Sequence, residues 1–281
     1  MIITISHNTE YRYSDGVFLE PHAFRLIPRE DFAQDVIDRT IHITPMPSGI
    51  SEVLDHHGNL MYFSWFSGMT QVLNIASEVK LLLKDTNPFQ FMIYPPQGQQ
   101  LPLSYPRETS IMLQPFLEPL AQSEDIKSYA KKLANAASWQ TIPFLMRLVK
   151  TIHEEFDYQQ REDGHPYSPE YFFTKKNGSC RDFTVFAMAL CRELGIASRY
   201  VSGYFFSESE NEPDILHAWM EVYLPGGGWR GYDPTHGLAC YNHHIPLCAS
   251  HLPQETLPVI GSYRGFANSR IKYSLAINQS S

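Results

Sequence analysis

Hydrophobic and polar residues alternate through most of the first 111 residues. Stretches such as ITISHNTEYRY, IDRTIHITPMP and VLNIASEVKLLL place β-branched and aromatic residues at every second position or in short runs, which is typical of β-strands. Asp-Gly, Pro-Ser-Gly and His-Gly-Asn sequences separate them and favour turns. We therefore predict an antiparallel β domain over residues 1–115, in which the proline-dense stretch between Pro88 and Pro119 is a linker or an irregular segment.

The spacing becomes helical beyond this segment. SEDIKSYAKKLANAA and IPFLMRLVKTIHEEF repeat apolar residues every three or four positions, and Thr141 is a possible cap for the second helix because Pro143 follows it. A third helix is predicted from Cys180 to a stop at Gly195.

Strand-like stretches follow the third helix. ASRYVSGYFF, ILHAWMEVYLP, GWRGYDPT and SRIKYSLAINQ predict strands, and Pro225 with glycines 226 to 228 joins the second and third of these in a hairpin. The expected fold is α+β, with a second domain over residues 116–281 in which the cysteine-bearing helix packs on an antiparallel sheet.

Charge and composition exclude several partners. The chain has 22 basic and 30 acidic residues, a net charge of -8, and is 43% hydrophobic. Because no basic surface is implied, we do not expect nucleic acid as a partner. No export signal is recognisable at the amino terminus and no apolar run is long enough to cross a bilayer, so a soluble cytoplasmic protein without a membrane partner is expected.

Cys180 is the cysteine with the most suggestive position. Cys180 and Cys191 lie eleven residues apart on one predicted helix, about 16 Å at the helical rise, so they cannot form a disulfide. Gly178 and Ser179 suit a turn and a cap before the helix. A nucleophilic cysteine reacts as the thiolate, which a helix start and a nearby imidazole both favour, although a buried structural cysteine is an alternative reading.

His217 and Asp233 could supply the partners of such a thiol. His217 opens one strand of the predicted hairpin and Asp233 lies at the far end of the other strand, so the hairpin returns the carboxylate towards the imidazole. A carboxylate there would orient the ring while the other ring nitrogen faces the thiol, as in a Cys-His-Asp triad. The simplest pairing instead sets His236 opposite His217, so His236 is a rival base.

Three blocks of sequence together resemble a known family. GSCRDF, LCRELGIASRYVSGY and LHAWMEVYLPGGGWRGYDPT occur in this order, with intervals of 217 − 180 = 37 and 233 − 217 = 16 residues between the candidate side chains. They resemble the core of the bacterial transglutaminase-like superfamily. HNTEYRYSDG with RLIPRE is similar to the β domain that precedes this core in one bacterial branch, and the segment HIPLCASHLPQETLPVIGSYRGFANSRIKYSLAI is similar to its closing part.

The resemblance implies a papain-like or transglutaminase-like core with Cys180 as nucleophile, His217 as general base and Asp233 as orienting acid. Tyr158 and Trp219 are candidates for positioning the oxyanion or the substrate, with plain packing as the alternative for Tyr158. The implied activity is that of a cysteine peptidase or amidase that acts on peptide or protein amides through a thioester. A protein-glutamine transglutaminase and a non-catalytic binding module are the alternatives.

Arg181 and Thr184 depart from the commonest form of the family. These departures bear on substrate preference and leave the triad intact.

Two further patterns suggest metals. The arrangement C-x2-H-x4-C-x2-H over Cys240, His243, Cys248 and His251 could be drawn around zinc, but the same segment matches the family's ordinary closing part, so a loop is favoured. The acidic run SESENEPD is interpreted as a solvated loop and not as a calcium site. No metal and no cofactor is predicted.

Overall fold

The computed structural model describes residues 1–161, 164–207 and 214–280. In these ranges it contains α-helices α1 to α5, which are Arg107–Leu117, Glu124–Ala136, Thr141–Glu155, Pro169–Lys175 and Cys180–Glu193. The strands β1 to β16 are Ile2–Leu19, His22–Phe24, Gln34–Thr44, Gly49–Leu54, Leu60–Trp65, Thr70–Leu83, Asp157–Tyr158, Asn177–Gly178, Ser198–Phe205, Ile215–Leu224, Gly228–Asp233, Leu238–Ala239, His244–Ser250, Val259–Ile260, Tyr263–Arg264 and Ser269–Ser280. Short 3-10 helices span Pro96–Gln99 and Pro253–Thr256.

The predicted α+β class is confirmed. No helix in the described ranges is both long and apolar enough to cross a membrane.

The long strand β1 lies at the centre of the amino-terminal sheet. It pairs antiparallel with β6 on one edge and with β16 on the other, where Ile2 lies opposite Ser280. The strands β14 and β15 also pair with the amino-terminal strands β2 and β1. The domain boundary near residue 115 stays a prediction. These pairings place the strands between residues 259 and 280 in the sheets of the amino-terminal part, and not in the sheet of the predicted second domain.

A second sheet carries the strands downstream of Cys180 in the order β12-β11-β10-β9-β13. The predicted hairpin is present between β10 and β11, and Gly226 and Gly228 in its turn have φ of 77° and 69°. Met220 lies opposite Tyr232. This register is shifted by one residue from the simplest pairing, which would set His236 opposite His217. Because facing residues of antiparallel strands share a face, this shift puts Asp233 instead of His236 on the face of His217.

The second sheet is covered on both faces. Helices α3 and α5 pack against one face, and α2 packs on these helices, in a core that includes Phe144, Phe186 and Met220. The amino-terminal sheet packs on β9 and β13 through a second cluster, in which Ile5 and Val79 meet Tyr204 and other apolar residues. The result is three layers: helices, second sheet and amino-terminal sheet.

Several expectations about local structure are corrected. Helix α1 occupies part of the segment predicted as a linker. Pro106 precedes its first residue, where proline is tolerated, whereas Pro115 lies inside the helix near its end and cannot donate to the carbonyl four residues earlier. Thr141 does not cap α3; it is the first helical residue, and its hydroxyl donates to the Gly98 carbonyl at 2.8 Å. Most of the acidic run SESENEPD, residues 208–213, lies outside the described residues.

A buried ion cluster joins the amino-terminal part to the second sheet. Glu221 on β10 accepts hydrogen bonds from Arg29 at 2.5 Å and from Arg199 at 2.7 Å. Burial acts to raise the pKa of Glu221, but Arg199 and Arg29 outweigh it and lower the pKa to about 2. The carboxylate is therefore charged at neutral pH and neutralises cations from both parts of the chain.

We expect Glu221→Gln to destabilise the protein strongly, by about 3–5 kcal/mol, because it leaves two arginines without their buried counter-charge. Since the folded-state pKa of about 2 lies below the ordinary 4.5, this stabilisation is complete above pH 4.5 and is lost as the pH falls towards 2. Urea unfolding at several pH values measures both effects. Glu52→Gln, which removes a largely exposed pair with Arg39, is the control and should cost about 0–1 kcal/mol; equal losses in the two variants would contradict the prediction.

Candidate active site

The first turn of α5 is fixed by the residues that precede it. Ser179 donates its N–H and its hydroxyl to Asp182 Oδ2 at 2.7 and 2.9 Å, and Arg161 pairs with Asp182 Oδ1 at 2.8 Å. A Cβ on Gly178 would lie 2.7 Å from the Asp182 carboxylate, so a glycine is required there. These contacts fix the start of the helix. Asp182, which is buried and neutralised by Arg161, was not among the residues predicted from the sequence.

Cys180 is the first residue of this helix and is only partly buried. The hydroxyl of Thr184 donates to the Cys180 carbonyl at 2.8 Å, so the residue that departs from the commonest family pattern holds the turn that carries the thiol. The sulfur lies at the positive end of the helix dipole, which favours an anion there.

His217 on β10 lies between the thiol and Asp233. Its Nε2–H donates to Asp233 Oδ2 at 2.8 Å, and both side chains are fully buried. Nδ1 is also buried and makes no hydrogen bond of good geometry with a described residue, and the Cys180 thiol interacts with the ring. Burial acts to lower the pKa of His217, but the Asp233 carboxylate, the hydrogen bond to it and Cys180 raise the pKa to about 10. The ring is therefore an imidazolium at neutral pH.

Asp233 at the end of β11 accepts hydrogen bonds from three imidazoles. His217, His236 and His244 lie 2.8, 2.7 and 2.9 Å from Oδ2, and the backbone N–H of Thr235 lies 2.8 Å from Oδ1. Burial acts to raise the pKa of Asp233, but His217 and the other donors lower it well below its ordinary value. The carboxylate stays ionised and is held in place from several directions.

His236, the rival base, also belongs to this cluster. Its Nδ1 contacts Asp233, its ring stacks on Phe205 with centroids 4.1 Å apart, and its side chain is 32% exposed. His217 and His236 thus both contact Asp233, and of these two it is His217 whose ring interacts with Cys180.

His244 was missed in the sequence analysis. Burial lowers its pKa, so the ring is neutral. Its Nε2 lies 2.9 Å from the Asp233 carboxylate, which accepts the proton there, while Nδ1 lies 3.3 and 3.4 Å from the Tyr241 carbonyl and N–H. The C-x2-H-x4-C-x2-H pattern includes the neighbouring His243 instead, which contacts the Phe206 carbonyl through Nδ1. The signal that could have identified His244 is the reading of HIPLCAS as a strand that begins at this residue.

Tyr158 and Trp219 have different relations to the site. Tyr158 is 48% exposed and pairs in β7 with Gly178, two residues before Cys180. Burial and the nearby thiol raise the pKa of Tyr158 to about 12, so its hydroxyl keeps its proton. Trp219 is 1% exposed, and its ring lies 6.1 Å from that of His217. Trp219 therefore packs beside the imidazole within the core. A direct role in substrate binding stays a prediction for both residues.

Two candidate metal sites were also considered. The ligating atoms of His217, Asp233, His236 and His244 lie within 4.8 Å of one another, but their hydrogen bonds to one oxygen already pair these groups.

The four residues of the C-x2-H-x4-C-x2-H pattern, for which a loop was favoured over a zinc site, form no such group among the described residues; they are Cys240, His243, Cys248 and His251. Cys248 is buried with its thiol against the Thr256 carbonyl, and the His251 ring packs beside His57.

Comparison with known proteins identifies the family. Residues 127–234 match the model described as the transglutaminase-like superfamily, and residues 3–81 match the bacterial transglutaminase-like N-terminal region. The chain belongs to the bacterial transglutaminase-like superfamily, and this confirms the resemblance read from the sequence.

Similar proteins extend this result. An uncharacterized protein from Mycobacterium tuberculosis is 25% identical over 97% of this chain and 91% of its own length. A protein-glutamine gamma-glutamyltransferase from Pseudomonas aeruginosa is 25% identical over 43% of this chain and 20% of its own length. A solved structure of a candidate cysteine protease from Cytophaga hutchinsonii has a TM-score of 0.73 and 19% identity, and the match covers 100% of this chain and 92% of that one. This structure shows the same fold.

We expect Cys180 to be the first of the four cysteines to react with iodoacetamide in the folded protein. Burial raises the pKa of Cys191, Cys240 and Cys248, whereas Cys180 is partly exposed beside an imidazolium. Peptide mapping by mass spectrometry gives the order of labelling. His217→Gln should slow Cys180 labelling at neutral pH by about tenfold, because the ion-pair partner of the thiolate is lost, and Cys240→Ala is the control that should leave the rate unchanged. Labelling of Cys240 or Cys248 first would refute the assignment.

Proposed function

We propose that the protein catalyses thiol-dependent acyl transfer at amide bonds, with Cys180 as nucleophile, His217 as acid and base, and Asp233 as the residue that orients His217. The observation that supports this most directly is the buried His217 ring, which is hydrogen-bonded to Asp233 through Nε2 and interacts with the Cys180 thiol. A positively charged His217 ring beside the sulfur stabilises the thiolate, which is the reactive form of a cysteine nucleophile.

In the first half of the reaction, the Cys180 thiolate attacks the carbonyl carbon of the amide and the carbonyl oxygen becomes an oxyanion. The carbon–nitrogen bond then breaks as the His217 imidazolium donates its Nδ1 proton to the leaving nitrogen. The products of this half are a thioester on Cys180, a free amine or ammonia, and a neutral imidazole.

In the second half, neutral His217 takes a proton from the acceptor as the acceptor attacks the thioester carbon. The carbon–sulfur bond breaks and Cys180 leaves as the thiolate, which restores the ion pair with His217. Water as acceptor gives a carboxylic acid, and a primary amine gives a new amide. Asp233 remains ionised throughout and stabilises the imidazolium whenever it forms.

Tyr158 is the candidate donor to the oxyanion. Its hydroxyl retains its proton, since the pKa is raised to about 12, and it is exposed close to the start of α5. A neutral hydroxyl that donates to the developing charge would stabilise the transition state.

Hydrolysis is the acceptor reaction that we propose, so that the protein is a cysteine peptidase or amidase of peptides or proteins. Water needs no second binding site beside Cys180, whereas an amine substrate does. Transamidation is the second candidate, and the similarity to the Pseudomonas glutamyltransferase over 43% of the chain supports it. Both reactions share the thioester, so they differ only in how well the site excludes water and admits an amine.

Substitutions in the triad should have graded effects on kcat/KM. Cys180→Ala and His217→Gln should each lower it by about 10⁴-fold or more, and Asp233→Asn by about 10²- to 10⁴-fold, because Asp233 orients the base without exchanging a proton. His236→Gln removes one donor to Asp233 and should cost less than any of these. Steady-state kinetics on a cleaved peptide, with circular dichroism to verify folding, test this order. If His236→Gln is inactive while His217→Gln retains activity, the base is misassigned.

The acceptor can be identified from the product mass. We expect a peptide that contains internal glutamine residues to be cleaved or deamidated by the wild type and to remain so when a primary amine is added, because water is the acceptor. Mass spectrometry separates backbone cleavage, conversion of glutamine to glutamate, and an amine adduct. Cys180→Ala is the control for uncatalysed change. Adduct formation as the main product would replace hydrolase by transglutaminase and would leave the thiol mechanism intact.

A further inference from the structure

A second cluster of ligating side chains lies away from Cys180. His56 and His57 belong to the turn between β4 and β5, and Glu255 belongs to the 3-10 helix after β13. Their Nε2 atoms lie 3.8 and 3.2 Å from Glu255 Oε2, and one ligating atom from each of the three residues lies within 4.8 Å of the others. This set has no part in the proposed acyl transfer.

The spacing of these atoms suits a metal ion. Zinc binds imidazole nitrogen and carboxylate oxygen at about 2.0–2.2 Å in a tetrahedron, which places neighbouring ligand atoms about 3.3–3.5 Å apart. The separations of 3.2 and 3.8 Å bracket that value. The 3.2 Å contact of His57 is a hydrogen bond without an ion, and a metal would bind Nε2 in place of its proton. At Asp233 three nitrogens lie only 2.7 to 2.9 Å from one oxygen, which is closer than zinc ligands lie to one another.

The ligands are held by contacts around them. Asp55 Oδ1 accepts the backbone N–H groups of His57 and Asn59, each at 2.9 Å, and the Asn59 side chain bonds both backbone groups of Ala249 at the start of the Glu255 segment. Such outer contacts orient metal ligands and raise affinity. The hydrogen bonds of Asn59 to Ala249 hold the turn with the two histidines against β13 without an ion.

Glu255 is held in place for a cation by a neighbouring hydroxyl. Ser250 donates a hydrogen bond to Glu255 Oε2, the same oxygen that the two imidazoles approach. The side chain of His56 is 68% exposed, which leaves the cluster open to an ion and to a water molecule as fourth ligand.

Ser250, His57 and Glu255 do not form a serine hydrolase triad. Ser250 Oγ and Glu255 Oε2 both contact Nε2 of His57, at 3.0 and 3.2 Å, whereas a triad uses the two ring nitrogens separately. The Ser250 hydroxyl also donates to Glu255 itself, which is the role of an outer contact to a ligating carboxylate.

We propose that His56, His57 and Glu255 bind a divalent transition-metal ion, with zinc as the best fit, in a non-catalytic site. The ion would tie the β4–β5 turn of the amino-terminal part to the segment that follows β13 in the second sheet. Ligands from residues nearly 200 positions apart in sequence would then fix how the two parts meet.

Zinc binding to the chelator-treated full chain is the first measurement. The dissociation constant is obtained by competition with a chromogenic zinc chelator, and the thermal midpoint is recorded with and without zinc. Loss of an outer contact alone weakens metal sites by about 10- to 100-fold, so His57→Gln, His56→Gln and Glu255→Gln should each weaken binding by at least that much and reduce the thermal shift.

Matched variants separate this site from others. His42→Gln, which changes an exposed histidine on β3, and His236→Gln, which changes the Asp233 cluster, should retain the wild-type dissociation constant and thermal shift. Cobalt binding should give an absorption spectrum without a thiolate charge-transfer band. Binding that is absent in the wild type, unchanged in both His56→Gln and Glu255→Gln, or lost in His236→Gln would overturn the proposal, and none of these results depends on enzymatic activity.

Discussion

The buried carboxylate of Asp233 determines the geometry of the candidate active site. An isolated charge in this position would be unfavourable by several kcal/mol, and here it is offset by three imidazoles and two backbone N–H groups. These donors come from β10, from the turn after β11 and from the start of β13, so three separate segments of the chain converge on one side chain. The orientation and charge of His217 follow from this convergence.

The candidate nucleophile and the hairpin could be predicted from the sequence because their signals are local. A glycine turn before a helix with one apolar face specified the position of Cys180, and alternation around three glycines specified β10 and β11. Local sequence could not predict whether Asp233 or His236 lies on the same face as His217, because a shift of one residue in register exchanges the faces of a strand. The stretch HIPLCAS can be read as a strand that begins at His244, but its pairing with β9, which brings the ring to Asp233, is not encoded in a short stretch of sequence.

The amino-terminal sheet contributes more to the molecule than an accessory module would. It covers the second sheet on the face opposite the helices, supplies Arg29 to the buried Glu221, and carries Tyr273 on β16 within electrostatic range of Tyr158. Helix α1 was missed for a related reason: its exposed face shows Ile111 and Met112, so an apolar pattern facing the core is weak there. Besides helix α1, what the sequence left undetermined is mainly how the two parts contact each other.

The pairing of β1 with β16 has a consequence for biosynthesis. Strand β1 is synthesised well before its partner β16, because one of its edges is completed by residues about 270 positions later. Until those residues are made, the nascent chain presents an unpaired strand rich in isoleucine, and contacts of such long sequence separation form slowly. The polar residues that alternate along β1, including Thr4, Ser6 and Asn8, would limit its association with neighbouring chains on the polysome during that interval.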